Sequence, residues 1–157
     1  MRTAALLLAA TAALGFAQSK YEGPKPEKAD IPYLRHAAKL IPLETSQARD
    51  ETRKGDQWAS VAGAASPVRT PLAEPYFVME MGKIDPKLFE LYRVESKNGQ
   101  REVLISKKNK QGSKPLRIMV SPLGDRLYRI DVNETLENGE YCLSPSGLDT
   151  VFCFQVY

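Results

Sequence analysis

Glu140-Tyr141-Cys142-Leu143-Ser144 and Thr150-Val151-Phe152-Cys153-Phe154-Gln155-Val156-Tyr157 are two apolar runs separated by Pro145-Ser146-Gly147. Apolar and aromatic residues on either side of a turn-forming triplet predict a β-hairpin. Setting Cys142 opposite Cys153 puts Leu143 opposite Phe152 and Tyr141 opposite Phe154. Side chains alternate along a strand, so those four share one apolar face. The cysteines then fall with Glu140 and Gln155 on the other face. A slip of one residue would mix the two sets, so the sulfur pairing and the apolar pattern demand the same register. Cys142 and Cys153 are therefore expected as a disulfide with a structural role. A redox role would need a Cys-x-x-Cys spacing or a helix N-terminus to lower a thiol pKa, and the sequence offers neither.

The same texture extends upstream. Residues 76–81, 88–95, 101–107, 115–120 and 126–132 are apolar or alternating runs parted by turn residues. Asn98-Gly99 lies between two of them, and both residues accept the positive φ that a two-residue hairpin turn requires. Seven strands between Tyr76 and Tyr157, with no helical period, predict an all-β fold: an antiparallel β-sandwich of immunoglobulin-like type. A partly open barrel is the alternative.

Residues 32–75 are mixed. The spacing suggests a short helix over 33–40, an edge strand carrying Pro42 over 40–43, a turn over 48–56, a strand over 57–62, and an irregular Ala/Ser/Pro stretch over 64–75. Residues 18–31 hold Pro24, Pro26 and many charges, and are expected to form a flexible arm. Residues 1–17 have Arg2, an apolar run and Gly15-Phe16-Ala17, the pattern of a secretory signal peptide. The domain organisation expected is thus signal peptide 1–17, arm 18–31, and one β-sandwich domain over 32–157. Its removal lowers the formal net charge from +3 to +2, too little for a nucleic-acid binder. The localisation expected is secreted or periplasmic, where disulfides persist, with no transmembrane segment.

Few motifs carry chemistry. His36 is the single histidine, so neither a metal site nor a Ser-His-Asp triad is expected, and no cofactor is implied. Glu134, Glu137 and Glu140 surround one turn, where a solvated loop is the ordinary reading. Tyr76, Tyr92 and Tyr128 are candidate ligand-binding aromatics, against the commoner use of strand tyrosines in cross-strand packing. Lys107, Lys108, Lys110 and Lys114 form a candidate anion-contacting loop, against the commoner solubilising hairpin tip.

The segment Leu136-Glu137-Asn138-Gly139-Glu140-Tyr141-Cys142-Leu143, with Val151-Phe152-Cys153-Phe154-Gln155-Val156, resembles the closing hairpin of secreted bacterial immunoglobulin-like and carboxypeptidase-regulatory-like modules. The chain is also similar to uncharacterised exported bacterial proteins of this length. The resemblance implies a sandwich and carries over no catalytic residue. The expectation is an exported, non-catalytic binding or structural module of the bacterial envelope or extracellular space, with a protein or glycan partner. The alternatives are a surface-filament subunit that pairs its N-terminal arm with a neighbour, and a small carboxylate-dependent hydrolase of envelope polymers.

Overall fold

The computed structural model describes residues 20–105 and 112–157. The expected signal peptide lies outside the described residues. Among the described residues thirteen strands, numbered in chain order, form two sheets. The smaller runs β10 (Ile118–Gly124), β11 (Leu127–Val132), β7 (Tyr76–Glu80), β1 (Tyr33–His36), β2 (Lys39–Pro42). The larger runs β3 (Glu44–Gln47), β13 (Thr150–Val156), β12 (Gly139–Pro145), β8 (Phe89–Lys97), β9 (Gln100–Leu104), β5 (Asp56–Ala62), β4 (Arg49–Arg53). The short β6 (Arg69–Thr70) lies parallel to the end of β13, and every other pairing is antiparallel.

The sandwich follows from the alternation. In β13 Phe152, Phe154 and Val156 face the smaller sheet, and in β12 Tyr141 and Leu143 do. Leu34, Phe77, Met79 and Ile130 meet them from the smaller sheet. Phe77 and Phe154 lie 5.1 Å apart between ring centroids, and Tyr141 stacks on Phe154 at 5.7 Å. The closing hairpin has the expected register, with Cys142 opposite Cys153, Leu143 opposite Phe152 and Tyr141 opposite Phe154. The two cysteines form a disulfide, with Cα atoms 4.1 Å apart.

The larger sheet is not flat. Its two ends, β3 and β4, are separated in the chain by Ala48 alone. Two consecutive Cα steps span at most about 7 Å, so the ends of the sheet are brought together and the sheet rolls up on itself. Ala48 N–H donates to the Asp149 carbonyl at 2.7 Å and carries the β3–β13 ladder up to this corner. One layer of the sandwich is therefore a roll with an interior of its own.

Several local expectations change. Residues 33–40 form the β1–β2 hairpin instead of a short helix; Ala37, at φ 51°, makes the turn. The 48–56 stretch is mostly the strand β4, with only Lys54-Gly55 turning. Its charged residues find a ladder partner in β5, and that pairing overrides their poor strand propensity. The Asn98-Gly99 turn is as expected, with both residues at positive φ.

The described part of the arm, residues 20–31, is attached to the domain. Asp30 N–H bonds the Glu80 carbonyl, and the Asp30 carboxylate accepts from the N–H groups of Gly82, Lys83 and Ile84 at 2.8–2.9 Å. Lys28 N–H donates to the Tyr33 hydroxyl. Tyr33 and Val78 sit on the outer face of the smaller sheet yet are buried, and Pro26 is buried with them. Tyr21 and Pro26 give this segment the apolar surface that its charge density conceals.

Candidate functional site

The inner face of the roll is built from residues one position out of phase with the sandwich core. Val151 and Cys153 of β13, Cys142 of β12, Val94 of β8, Val103 of β9 and Val61 of β5 form a second apolar cluster. The cysteines therefore face an apolar interior, not the polar surface that their neighbours Glu140 and Gln155 suggest. These side chains are small, and they leave a cavity of about 350 Å³.

One end of the roll is closed by charge. Arg101 of β9, 0% exposed, reaches across the interior to Glu44 of β3. Its Nη1 and Nη2 donate to the two carboxylate oxygens of Glu44 at 2.7 and 2.8 Å. Nε donates to the Gly63 carbonyl at 2.9 Å, and Nη2 also to the Ala62 carbonyl at 2.8 Å. Glu140 of β12 stands 3.7 Å away and accepts from the Ser66 N–H at 2.9 Å. Burial pushes the Glu140 carboxyl above its ordinary value, and the Ser66 N–H and Arg101 only partly offset that. The Glu140 Oε1 atom is buried without a hydrogen-bond partner. Glu44 goes the other way: burial opposes ionisation, but hydrogen bonds from Arg101, Ser66 and Ser46 together with the Arg101 charge outweigh it and hold the carboxyl below the usual range.

The other end opens to solvent. Ile105 and Leu148, 38% and 49% exposed, flank it. Asp50, Ser144, Tyr92 and Asp149 supply its polar groups. The Tyr92 hydroxyl donates to Glu90 at 2.7 Å; burial first, and this hydrogen bond second, push its pKa up to about 12. The site is thus an apolar shaft with a neutralised floor and a polar, exposed mouth.

The structure separates the candidate tyrosines. Tyr92 lines the cavity. Tyr76 is on the outer face of the smaller sheet, with the Arg129 guanidinium 3.9 Å above its ring. Tyr128 is half-buried in β11, opposite Met79 and Pro122. Tyr141 is in the sandwich core, its hydroxyl donating to the Glu137 carbonyl at 2.7 Å. Of the lysine loop, Lys107, Lys108 and Lys110 lie outside the described residues, and Lys114 is exposed. Among the described residues no group of three or more His, Cys, Asp or Glu side chains is placed to hold a metal ion. Arg101, Glu44, Asp50 and Asp149 escaped the sequence reading. For Arg101 the signal was present, because it shares the inward alternation of Val103 and Ile105.

No protein-family model matches the chain, and no curated protein or solved structure is significantly similar to it.

Proposed function

We propose that this protein is an exported, non-catalytic binding module that takes a small ligand into the interior of its rolled sheet. One observation carries the reading: a cavity of about 350 Å³ inside the roll, lined by a cluster of valines and by a few polar groups. Pockets that bury small ligands are concave, mostly apolar, supplied with a few polar groups, and roughly 300–1,000 Å³ in size. A sandwich layer with a purely structural task has no need of an unfilled interior, since voids lose dispersion contacts.

The carboxylates support binding over hydrolysis. Among the described residues Glu102 and Glu140 are the buried carboxylates and Glu44 is half-buried; Arg53, Ser66 and Arg101 respectively engage them. The arm supports a self-contained module, since Asp30 spends its carboxylate on its own chain. Export is supported by the disulfide. Among the described residues no helix is long and apolar enough to cross a membrane. A chain beginning at Gln18 is the expected mass of the exported form.

Binding of N-phenyl-1-naphthylamine, a neutral apolar dye whose fluorescence rises when it leaves water, tests the cavity. The wild-type protein is expected to bind one dye per chain. Val103→Phe, which fills the shaft, is expected to stay folded and lose the signal. Dye that binds the filled variant equally well, or that does not bind the wild type, defeats the reading.

A further inference from the structure

We propose that the ligand is an amphipathic amine, its apolar chain or ring in the shaft and its cationic end at the mouth beside Asp50 and Asp149. This rests on the cavity being a ligand site. Charge at the two ends of the cavity differs.

At the floor, the Arg101 cation would attract an anionic ligand only if it were unsatisfied. It is not: three nitrogens donate to Glu44, Ala62 and Gly63, and Glu140 adds a second carboxylate at 3.7 Å. A ligand carboxylate pushed to the floor would meet an Arg101 already paired with Glu44 and backed by Glu140. The walls between are built largely from Val61, Val94, Val103 and Val151, which offer dispersion contact. The buried end of the ligand must therefore be apolar.

Among the described residues at the mouth the balance is acidic. Asp149 is fixed opposite Ala48 by the 2.7 Å backbone bond, and Asp50 follows two residues further along the same strand face, roughly 7 Å on. Both are exposed and both line the cavity. Glu90 stands close by, holding the Tyr92 hydroxyl. Arg101, already neutralised, is the one cationic side chain among the described residues that line the cavity. Carboxylates at the rim of a low-dielectric shaft concentrate their field at its opening and favour a positive end group there. The rim residues Ile105 and Leu148 extend the apolar wall to the level of those carboxylates. The chain of the ligand thus remains covered up to its head group.

Three probes with one chain and different ends separate this from its rivals: n-octylamine, 1-octanol and octanoate, each displacing N-phenyl-1-naphthylamine at neutral pH. Octylamine is expected to displace the dye at a roughly five- to tenfold lower concentration than octanol, with octanoate weakest. In Asp50→Asn/Asp149→Asn, octylamine is expected to fall to the octanol value while octanol is unchanged. Should that variant fail to fold, raising the salt concentration on the wild type gives the same readout, a selective loss of the amine advantage. Octylamine no better than octanol, or octanoate the strongest, overturns the head-group assignment while dye binding leaves the cavity reading intact. No dye binding at all overturns both.

Discussion

The two faces of the closing hairpin do different work. On one side Tyr141, Leu143, Phe152 and Phe154 fill the space between the sheets, with ring centroids 5–6 Å apart. On the other side Cys142, Ser144, Val151 and Cys153 line a roll that stays partly empty. The same strands, in one register, supply both. Large side chains turned towards a facing sheet make a close-packed core. Small ones turned into a curled sheet cannot meet across its width, and a cavity results. Where the chain bridges that width, it uses its longest charged side chain, Arg101, and holds it with Glu44 on the far side. The comparison teaches that the sandwich core holds the fold together and that the roll is the part with room for a ligand.

Four experiments can break or sharpen this contrast. The largest effects are expected where bulk or buried charge is removed. Phe154→Ala should cost about 3–5 kcal/mol, against about 1–2 kcal/mol for Val103→Ala in the roll, measured by urea denaturation. Equal costs would mean that the roll is as tightly packed as the core. Arg101→Met should also cost about 3–5 kcal/mol, because it leaves the half-buried Glu44 and the buried Glu140 without their cation. A neutral outcome would show that the floor is open to water.

Smaller effects follow from the cross-link. Replacing Cys142 and Cys153 by alanine together should lower stability by about 2–3 kcal/mol, given a sequence separation of 11 residues. Thiol titration of the exported protein should find no free thiol before reduction. The folded double variant should still bind the apolar dye, since alanine keeps the wall apolar; loss of binding in a folded variant would give the sulfurs a role in the site.

The smallest effect has a pH signature. The folded Glu140 carboxyl is held above its ordinary value, so it binds its proton more tightly folded than unfolded. Its contribution is full below the ordinary glutamate range and is lost as pH rises through the folded value. Glu44, held below that range, contributes in the opposite sense: its stabilisation is present above the range and lost on acidification. Glu140→Gln removes only the first. The variant should lie within about 1 kcal/mol of wild type at neutral pH, having gained on it from about pH 4 until the folded value is passed and no further above that. A difference that does not change with pH would place Glu140 in water in the folded protein.

Much of the sandwich was legible because alternation is a local property. Seven strands between Tyr76 and Tyr157 and the pairing of Cys142 with Cys153 could be read from residue order alone. The short hairpin at 33–42 and the charged strand at 49–53 could not, because their stability comes from neighbours distant in the chain. The site was less legible still. Tyr92 was singled out, but Tyr76 and Tyr128 stand on other surfaces, and Asp50 and Asp149 look like ordinary loop acids in the sequence.

The amino-acid sequence by itself determined which face of each C-terminal strand is bulky and which is small, and so which residues could form a core. It also determined the register of the disulfide, since one shift would have mixed the faces. Only the tertiary structure decided that the larger sheet rolls up at Ala48, that Arg101 crosses its interior to Glu44, and that the arm settles over Tyr33 and Val78. The physical reason is range. Alternation and turn preference act over a few residues, whereas closure of the roll joins strands at opposite ends of a sheet whose order no local pattern encodes.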